Sequence, residues 1–367
     1  MKILLVIDNL NSGGAQRQIV NLGIGLKEIG NEVHFLVYNQ GDFFEHILEN
    51  NNIAVHKFYK RNKFDVLSLF KAIGFMKNQK FDAIGAFLFT PSLYVLLFKL
   101  ITFSKTKVLV SERSFHSERE EDYRKKIIRK LYRVSNVITA NSISQTNYLK
   151  SCFPKLVDKI VYIPNGLNID DFKIKTEHQP SNILKIVSIG HINSNKNTKL
   201  LIEAVKILRD TYNIETQVEW LGRTYEFLNE KNIYFEECKE LISKYELQNH
   251  WNWAGKVKQI QNYLLVSDVL IHPSIGEGFP NAICEGLACG LPIIASNVND
   301  HPHIIKNHSN GFLFNNNDLD DLIDKILRFK KLSIEDKRTM ENQARKTAEN
   351  NFQLSNMVAK YNEMFSL

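Results

Sequence analysis

The feature that most constrains this chain is an alternation that runs along it twice: short apolar runs of strand length, then segments whose apolar residues recur every three or four positions. Residues 3–7 read as a strand. Ala15, Ile19, Leu22, Leu26 and Ile29 fall at helical spacing, Gly30 stops that helix, and residues 32–38 read as the next strand. The order continues through a strand at 81–87, a helix after Pro91, strands at 108–111 and 137–140, and a helix after Asn141. Parallel strands need a crossover of a dozen or more residues, usually a helix, so this order predicts a parallel sheet with helices on both faces. Near residue 164 it gives way to IPNGLNIDDFKIKTEHQPSN, a polar, turn-rich passage with Pro164, Gly166 and Pro180 that reads as a linker. A second alternation follows, with a strand at 184–189, a helix carrying Leu200, Leu201, Ala204, Val205 and Leu208, and strands at 217–221, 269–272 and 292–296. The predicted fold class is α/β: two Rossmann-like, doubly wound domains, 1–164 and 165–349, without a recognisable sequence repeat.

A length of 367 residues suits two cores better than one. With 44% hydrophobic and 24% charged residues, the chain can bury both cores, which excludes disorder for the bulk of it. Four cysteines without a CxxC pair exclude a disulfide scaffold and a zinc ribbon and point to a reduced compartment. The opening MKILLVIDNLNSGG loses its apolar run at Asp8 and shows no small-residue cleavage site, so it reads as a strand and the protein is expected in the cytoplasm. Residues 84–103 near membrane-spanning length, but Thr90, Pro91, Ser92 and Lys99 interrupt them and strand–turn–helix is the better parse. The aromatic-rich stretch 64–89 reads as core packing rather than substrate stacking.

The net charge of +7 is unevenly placed: residues 1–164 hold 24 Lys or Arg against 14 Asp or Glu, and residues 165–367 hold 23 against 26. Part of the excess is Arg124, Lys125, Lys126, Arg129, Lys130 and Arg133, interleaved with Ile127, Ile128, Leu131 and Tyr132. That pattern fits a basic amphipathic helix against an anionic membrane, and equally an ordinary solvated helix face. No nucleic-acid-binding signature accompanies the charge, so no nucleic-acid partner is expected.

The most informative stretch is SIGEGFPNAICEGLACGLP, residues 274–292, which leaves a strand ending at His272, passes through a glycine-bearing loop and opens a helix near Pro280. Unpaired backbone N–H groups at a helix start stabilise an anion. Glu277 in the loop and Glu285 inside the helix can serve one ligand, because a carboxylate accepts strongly from paired sugar hydroxyls. Two carboxylates also suit the acid and base of a glycoside hydrolase, although a hydrolase needs no phosphate cradle beside them. His301, His303 and His308 fit no strong metal-ligand spacing, and no metal is expected.

Taken with this context, Glu277-x7-Glu285 resembles the donor-binding signature of glycosyltransferase family 4, a retaining family with the two-Rossmann GT-B fold. Further matches follow in order: Gly13-Gly14-Ala15-Gln16-Arg17, Ser111-Glu112-Arg113, Ile163-Pro164-Asn165-Gly166, the stretch from Gly190 to Lys196, and Ala254-Gly255-Lys256-Val257. The resemblance implies an interdomain cleft, an acceptor-binding first domain, a nucleotide-sugar-binding second domain, and a C-terminal helix within 350–367 crossing back to the first. It implies that Glu285 holds the ribose hydroxyls and Glu277 the transferred sugar, with Gly278, Phe279, Pro280 and Asn281 lining sugar and phosphates. Pro280, lacking an N–H, can offer only its carbonyl or its shape. Lys196 would neutralise the diphosphate, Gly13 and Gly14 would approach it, and Val257 would meet the base. Catalysis is assigned to Glu277, Lys196 and Arg113, with His116 a further candidate.

The family usually carries arginine at His191, so a permanent cation there becomes titratable and donor affinity is expected to weaken above neutral pH. Asn299-Asp300-His301-Pro302-His303 replaces the usual Gly-Gly-x-Pro-Glu, which alters the sugar-selecting loop. The implied activity is metal-independent transfer of a hexose or N-acetylhexosamine from a nucleotide sugar, a UDP-sugar first, to a saccharide acceptor. A lipid-linked acceptor fits the basic first half, with the protein peripheral at the inner face of the cell membrane, as in bacterial capsule or O-antigen assembly. A nucleotide-sugar epimerase of the same fold and a non-catalytic sugar-nucleotide-binding subunit are the alternatives. A dinucleotide dehydrogenase lacks its GxGxxG.

Overall fold

A computed structural model describes residues 1–62, 65–113, 128–175, 182–225 and 232–367. The chain forms two compact units, residues 1–166 with 353–367 and residues 167–352.

The first unit is built on seven parallel strands: β1 (Lys2–Val6), β2 (Glu32–Val37), β3 (Ala54–Lys57), β4 (Ala83–Phe87), β5 (Lys107–Glu112), β6 (Val137–Ala140) and β7 (Ile160–Tyr162). Their order is β3-β2-β1-β4-β5-β6-β7, so the chain reverses direction between β1 and β4. The connecting helices are α1 (Gly14–Glu28), α2 (Glu45–Asn50), α3 (Val66–Gln79), α4 (Phe89–Thr102) and α5 (Ile143–Cys152). Because successive strand residues point to opposite faces, β1 feeds two cores. Ile3 and Leu5 pack under α1, and Leu4 and Val6 pack under α3 and α4.

In the second unit the six strands β8 (Leu184–Ile189), β9 (Thr216–Leu221), β10 (Trp251–Gly255), β11 (Val269–His272), β12 (Ile293–Ser296) and β13 (Gly311–Phe314) are all parallel, in the order β10-β9-β8-β11-β12-β13. Its helices are α6 (Thr198–Tyr212), α7 (Ile233–Lys244), α8 (Gln261–Val266), α9 (Asn281–Ala288), α10 (His301–Ile304), α11 (Leu319–Lys331) and α12 (Ile334–Asn351). The reversal here falls between β8 and β11. Ligands of open α/β sheets bind outside the carboxyl ends of the strands at such a reversal, so the loops after β8 and β11 are where to look.

The last helix, α13 (Leu354–Ser366), packs in the first unit, where Met357, Val358, Tyr361 and Phe365 enter the core under α1. Glycines make room for it. A Cβ on Gly25 would lie 2.4 Å from a Val358 methyl, one on Gly85 2.8 Å from the Phe365 ring, and one on Gly166 2.8 Å from the Leu354 Cα. The fully buried Gln18 clamps Gly166, its amide donating to the carbonyl at 3.0 Å and its oxygen accepting the N–H at 3.0 Å.

In the basic stretch at 124–133, some of the described side chains turn inward. Residues 124–127 lie outside the described residues, and Arg129 is fully buried, donating through Nε and Nη2 to the Glu112 carboxylate at 2.7 Å each. Tyr132 is buried and donates to the same carboxylate at 2.7 Å, so Arg129 and Tyr132 serve the interior. No helix among the described residues is long and apolar enough to cross a membrane.

Candidate active site

The carboxyl edge of the second sheet gathers the residues singled out by sequence. After β8 the chain passes Gly190 and His191 and makes a 3₁₀ turn, Ser194–Lys196, capped by the Asn193 side chain, which accepts from the Lys196 N–H at 3.2 Å. The turn aims Lys196 across the sheet reversal at the loop after β11, where its ammonium pairs with the Glu277 carboxylate. A Cβ on Gly190 would lie 2.9 Å from the Lys196 stem, so only glycine lets the lysine lie flat over the strand end. Asn195 pins the two loops together, its N–H₂ donating to the Gly276 carbonyl at 2.7 Å and its own carbonyl accepting from the Ile275 N–H at 2.8 Å.

Glu277 is held from three sides. His272 at the end of β11 places Nε2 2.9 Å from the carboxylate, Lys196 closes the same oxygen, and Asn299 accepts the Glu277 N–H at 2.9 Å. Burial would raise the carboxyl's pKa, but the hydrogen bond from His272 and the charge and hydrogen bond of Lys196 outweigh it and hold the group well below the usual carboxylate range. Burial lowers the pKa of His272, so at neutral pH the ring is neutral and donates Nε2–H to Glu277. Behind it His301 is fully buried, its ring edge-on to His272 at 5.4 Å. His301 Nδ1 donates to the Ser296 carbonyl at 2.7 Å, and burial pushes its pKa down to about 3. Glu277 is therefore a fixed, ionised acceptor.

His191 does not supply a titrating cation at neutral pH. Burial of its ring, then the positive charges of Arg223, Lys196 and Lys256, push it down to about 4. The expected loss of a permanent charge is offset by Arg223, which follows β9 and places Nε 3.4 Å and its backbone N–H 3.3 Å from His191 Nδ1. The sequence signal for Arg223 was a glycine and a cation directly after an apolar strand. Gly222, at φ +153, would put a Cβ 1.9 Å from the Gly190 carbonyl, so the strand ends can approach only without a side chain.

Beyond β9, the Gly222 N–H donates to the Gly255 carbonyl at 2.8 Å, bringing the Gly255–Val257 stretch alongside, with Val257 partly buried against the core. Gly278, Phe279 and Pro280 lead into α9, whose N-cap is Pro280 without a side-chain cap and whose first residue is Asn281. Phe279 is anchored edge-on to Phe352 at 5.9 Å. Glu285 lies within α9, only 4% exposed, close enough to Cys284 that its charge adds to the burial raising that thiol's pKa. Among the described residues no cluster of three His, Cys, Asp or Glu is placed to hold a metal.

Gly13, Gly14 and Arg113 belong to the first unit, at the carboxyl edge of its own sheet. Gly13 is the N-cap of α1 without a side-chain cap, and Gly14 opens that helix. Arg113 follows β5, 9% exposed, stacked 5.1 Å from the Phe87 ring centroid, with Nη1 donating to the Tyr361 hydroxyl at 3.3 Å and Nη2 to the Asn165 side chain. His116 lies outside the described residues.

Comparison with known proteins gives this edge its context. The family described as "Glycosyltransferase Family 4" matches residues 12–171, and "Glycosyl transferases group 1" matches residues 170–347, so the two together run through nearly the whole chain. The chain belongs to glycosyltransferase family 4. It is a glycosyltransferase with the GT-B fold, and solved structures agree on the fold. A glycosyltransferase from Rickettsia africae superposes with a TM-score of 0.85 at 24% identity, over 100% of this chain and 97% of that one. Anabaena HepE, solved with UDP and glucose, gives 0.82 at 18% identity, over 100% and 99%. Among curated relatives, an Escherichia coli UDP-Gal:alpha-D-GlcNAc-diphosphoundecaprenol alpha-1,3-galactosyltransferase is 26% identical over 281 residues, 72% of this chain and 70% of its own. Staphylococcus aureus CapH, a capsular polysaccharide biosynthesis glycosyltransferase, is 23% identical over 326 residues, 83% of each chain.

Proposed function

We propose that this glycosyltransferase moves a hexose or N-acetylhexosamine from a UDP-sugar to a lipid-linked saccharide, with retention at the anomeric carbon, in the assembly of a bacterial surface polysaccharide. The observation that carries the reading is the Lys196–Glu277–His272 constellation at the reversal of the second sheet. Names of the relatives support its finer parts: one uses UDP-Gal and a diphosphoundecaprenol-linked acceptor, and another serves capsule synthesis.

Breaking the bond between anomeric carbon and phosphate places negative charge on the leaving diphosphate and positive charge on the sugar. Lys196 and Arg223 meet the first charge, with the uncapped amides opening α9. Glu277, fixed by His272 and Asn299, accepts from the sugar hydroxyls and stabilises the cationic ring. Glu285 holds the ribose, and main chain near Val257 meets the base. Gly13, Gly14 and Arg113 serve the first unit's ligand edge. We assign no nucleophile among the described side chains of this edge; in this reading the acceptor hydroxyl attacks from the face that the diphosphate leaves, and the departing phosphate oxygen takes the hydroxyl proton. The chemistry is written without a metal.

The test is transfer from radiolabelled UDP-sugars to a membrane lipid extract, with wild type, Glu277→Ala and Lys196→Ala. Labelled lipid-linked product made by wild type and lost in both variants supports the reading. Full turnover in both variants refutes the site, donor conversion without an acceptor identifies an epimerase, and UDP binding without turnover identifies a binding subunit.

A further inference from the structure

We propose that the outer face of α3 and α4 is a docking surface for an anionic phospholipid membrane. The two helices lie side by side over one face of the first sheet, joined by a shared core that includes Ala72, Ile73 and Met76 from α3 and Val95, Leu96 and Phe98 from α4. A helix covering a sheet normally turns its polar side outward. Here the outward side is apolar at both ends. Val66, Leu67 and Phe70 on the first turns of α3 are each more than half exposed, as is Ile101 near the end of α4. Phe103, which caps α4, is 90% exposed at φ +50. A left-handed C-cap favours glycine, so a phenylalanine there bears backbone strain while its ring packs against little of the fold.

Charge says what covers this face. The two helices and the residues that follow each, 66–81 and 89–105, hold five Lys, of which Lys71, Lys77, Lys80 and Lys105 are exposed, and no acidic residue; Asp65 and Asp82 flank them. Asp65 is occupied as the cap of α3, accepting the Ser68 N–H at 3.1 Å and the Arg61 N–H at 2.9 Å, and Asp82 accepts the Lys2 N–H at 2.7 Å. Neither offsets the lysines facing outward. Lys77, Lys80 and Lys105, all exposed, line a cavity of about 270 Å³ with Phe81, Thr102 and Ser104, between the last turns of α3 and α4 and beside Phe103. Exposed aromatic and aliphatic side chains flanked by lysines match an interface of apolar acyl chains under anionic headgroups, and the lysine-lined cavity suits a headgroup phosphate. A protein partner would leave these lysines in need of acidic side chains. The buried Arg129 removes one member of the other basic stretch from consideration, and this face takes its place. Its purpose rests on the proposed lipid-linked acceptor, since docking would hold the first unit at the layer in which such an acceptor lies.

The test is co-sedimentation of the full chain with vesicles of phosphatidylcholine alone or mixed with phosphatidylglycerol, using wild type, Phe70→Glu/Phe103→Glu, and Lys77→Glu/Lys80→Glu/Lys105→Glu. Wild type is expected to bind the anionic vesicles about tenfold or more tighter than the neutral ones, and each variant to lose about tenfold or more. All substituted side chains are exposed, and unchanged thermal melts show that the variants fold. Equal binding to both vesicle types, absence of binding, or binding retained in both variants overturns the proposal. So does a wild-type dimer in light scattering that Phe70→Glu/Phe103→Glu dissolves, because a second copy would then cover the face. Binding of a UDP-sugar, measured in parallel by calorimetry, separates the two readings: intact donor binding without docking leaves the transfer reading standing, and docking without donor binding does the reverse.

Discussion

Replacing His191 distinguishes a titrating imidazole from Arg223 as the source of positive charge after β8 and β9. With its pKa pushed down to about 4, the ring is protonated in about one molecule in a thousand at pH 7. A bound diphosphate would have to raise that pKa by about three units to charge it, which corresponds to about 4 kcal/mol. His191 is only partly buried, and solvent screening reduces what a phosphate can return there. Arg223 stays charged throughout the accessible pH range. A UDP-sugar is the right ligand, because its diphosphate diester does not itself titrate near neutrality. Its dissociation constant, measured by calorimetry from pH 6 to 8, should therefore change by less than about twofold in wild type and in His191→Gln. Arg223→Gln should weaken binding by about tenfold to a hundredfold, the value of a hydrogen bond to a charged group. A tenfold loss of affinity between pH 6 and 8 that disappears in His191→Gln, with Arg223→Gln silent, would refute the reasoning.

Three further outcomes follow from the same contacts. Glu277→Gln keeps the shape of the site but removes the charge that pairs with Lys196, and steady-state transfer should show kcat lower by about a hundredfold with the melting temperature little changed. Arg129→Ala strands the Glu112 carboxylate among neutral donors and should cost about 3–5 kcal/mol in urea unfolding, and a loss below about 1 kcal/mol would show that the pair is solvated. His301 is neutral in the folded protein down to about pH 3, whereas the unfolded chain protonates it below about 6.5. Its contribution to stability is complete above pH 6.5 and is lost as pH falls from there toward 3, by up to about 4–5 kcal/mol, so His301→Gln should flatten the acid side of the melting-temperature profile.

What the sequence revealed and what it hid divide along a physical line. The strands read from apolar runs are the central ones, buried on both faces: β1, β2, β4, β5, β6, β8, β9, β11 and β12. The strands that went unread, β3, β7, β10 and β13, are the four sheet edges. An edge strand is covered by fewer neighbours, so AVHK in β3 and WNWAG in β10 carry polar or half-exposed residues that break the run. Glu277 stood out by its place in a glycine-bearing loop between a strand and a helix, Lys196 and Gly190 only through the family resemblance, and the structure brings Lys196 and Glu277 together. Their supports were not legible. His272 looks in the sequence like the end of a buried strand, and only three dimensions place it 2.9 Å from Glu277. The basic run at 124–133 hid one role for the converse reason: charge counted along the chain does not show that Arg129 turns inward to a carboxylate 17 residues earlier.

The two sheet edges treat charge in opposite ways, and the difference bears on which ligand each can take. At the second edge, Lys196 and Glu277 cancel each other until something separates them, so an incoming diphosphate and sugar must divide the pair, one taking the cation and the other the anion. At the first edge, Glu112 is already consumed by Arg129, Tyr132 and Gln145. The neighbouring Arg113 has only neutral partners among the described residues, and its Nε is buried without a hydrogen bond. A buried guanidinium without a carboxylate is costly, and burial accordingly lowers its pKa. The fold tolerates that cost by stacking Arg113 on Phe87 and bringing in the Tyr361 hydroxyl from α13, which Ser111 and Thr139 also approach at 3.2 and 3.3 Å. The C-terminal helix therefore does more than fill the core under α1, because it helps hold a cation that has no carboxylate partner among the described residues at the carboxyl edge of the first sheet. If the acceptor carries a phosphate, as proposed above, it could meet Arg113 without first breaking an ion pair among the described residues.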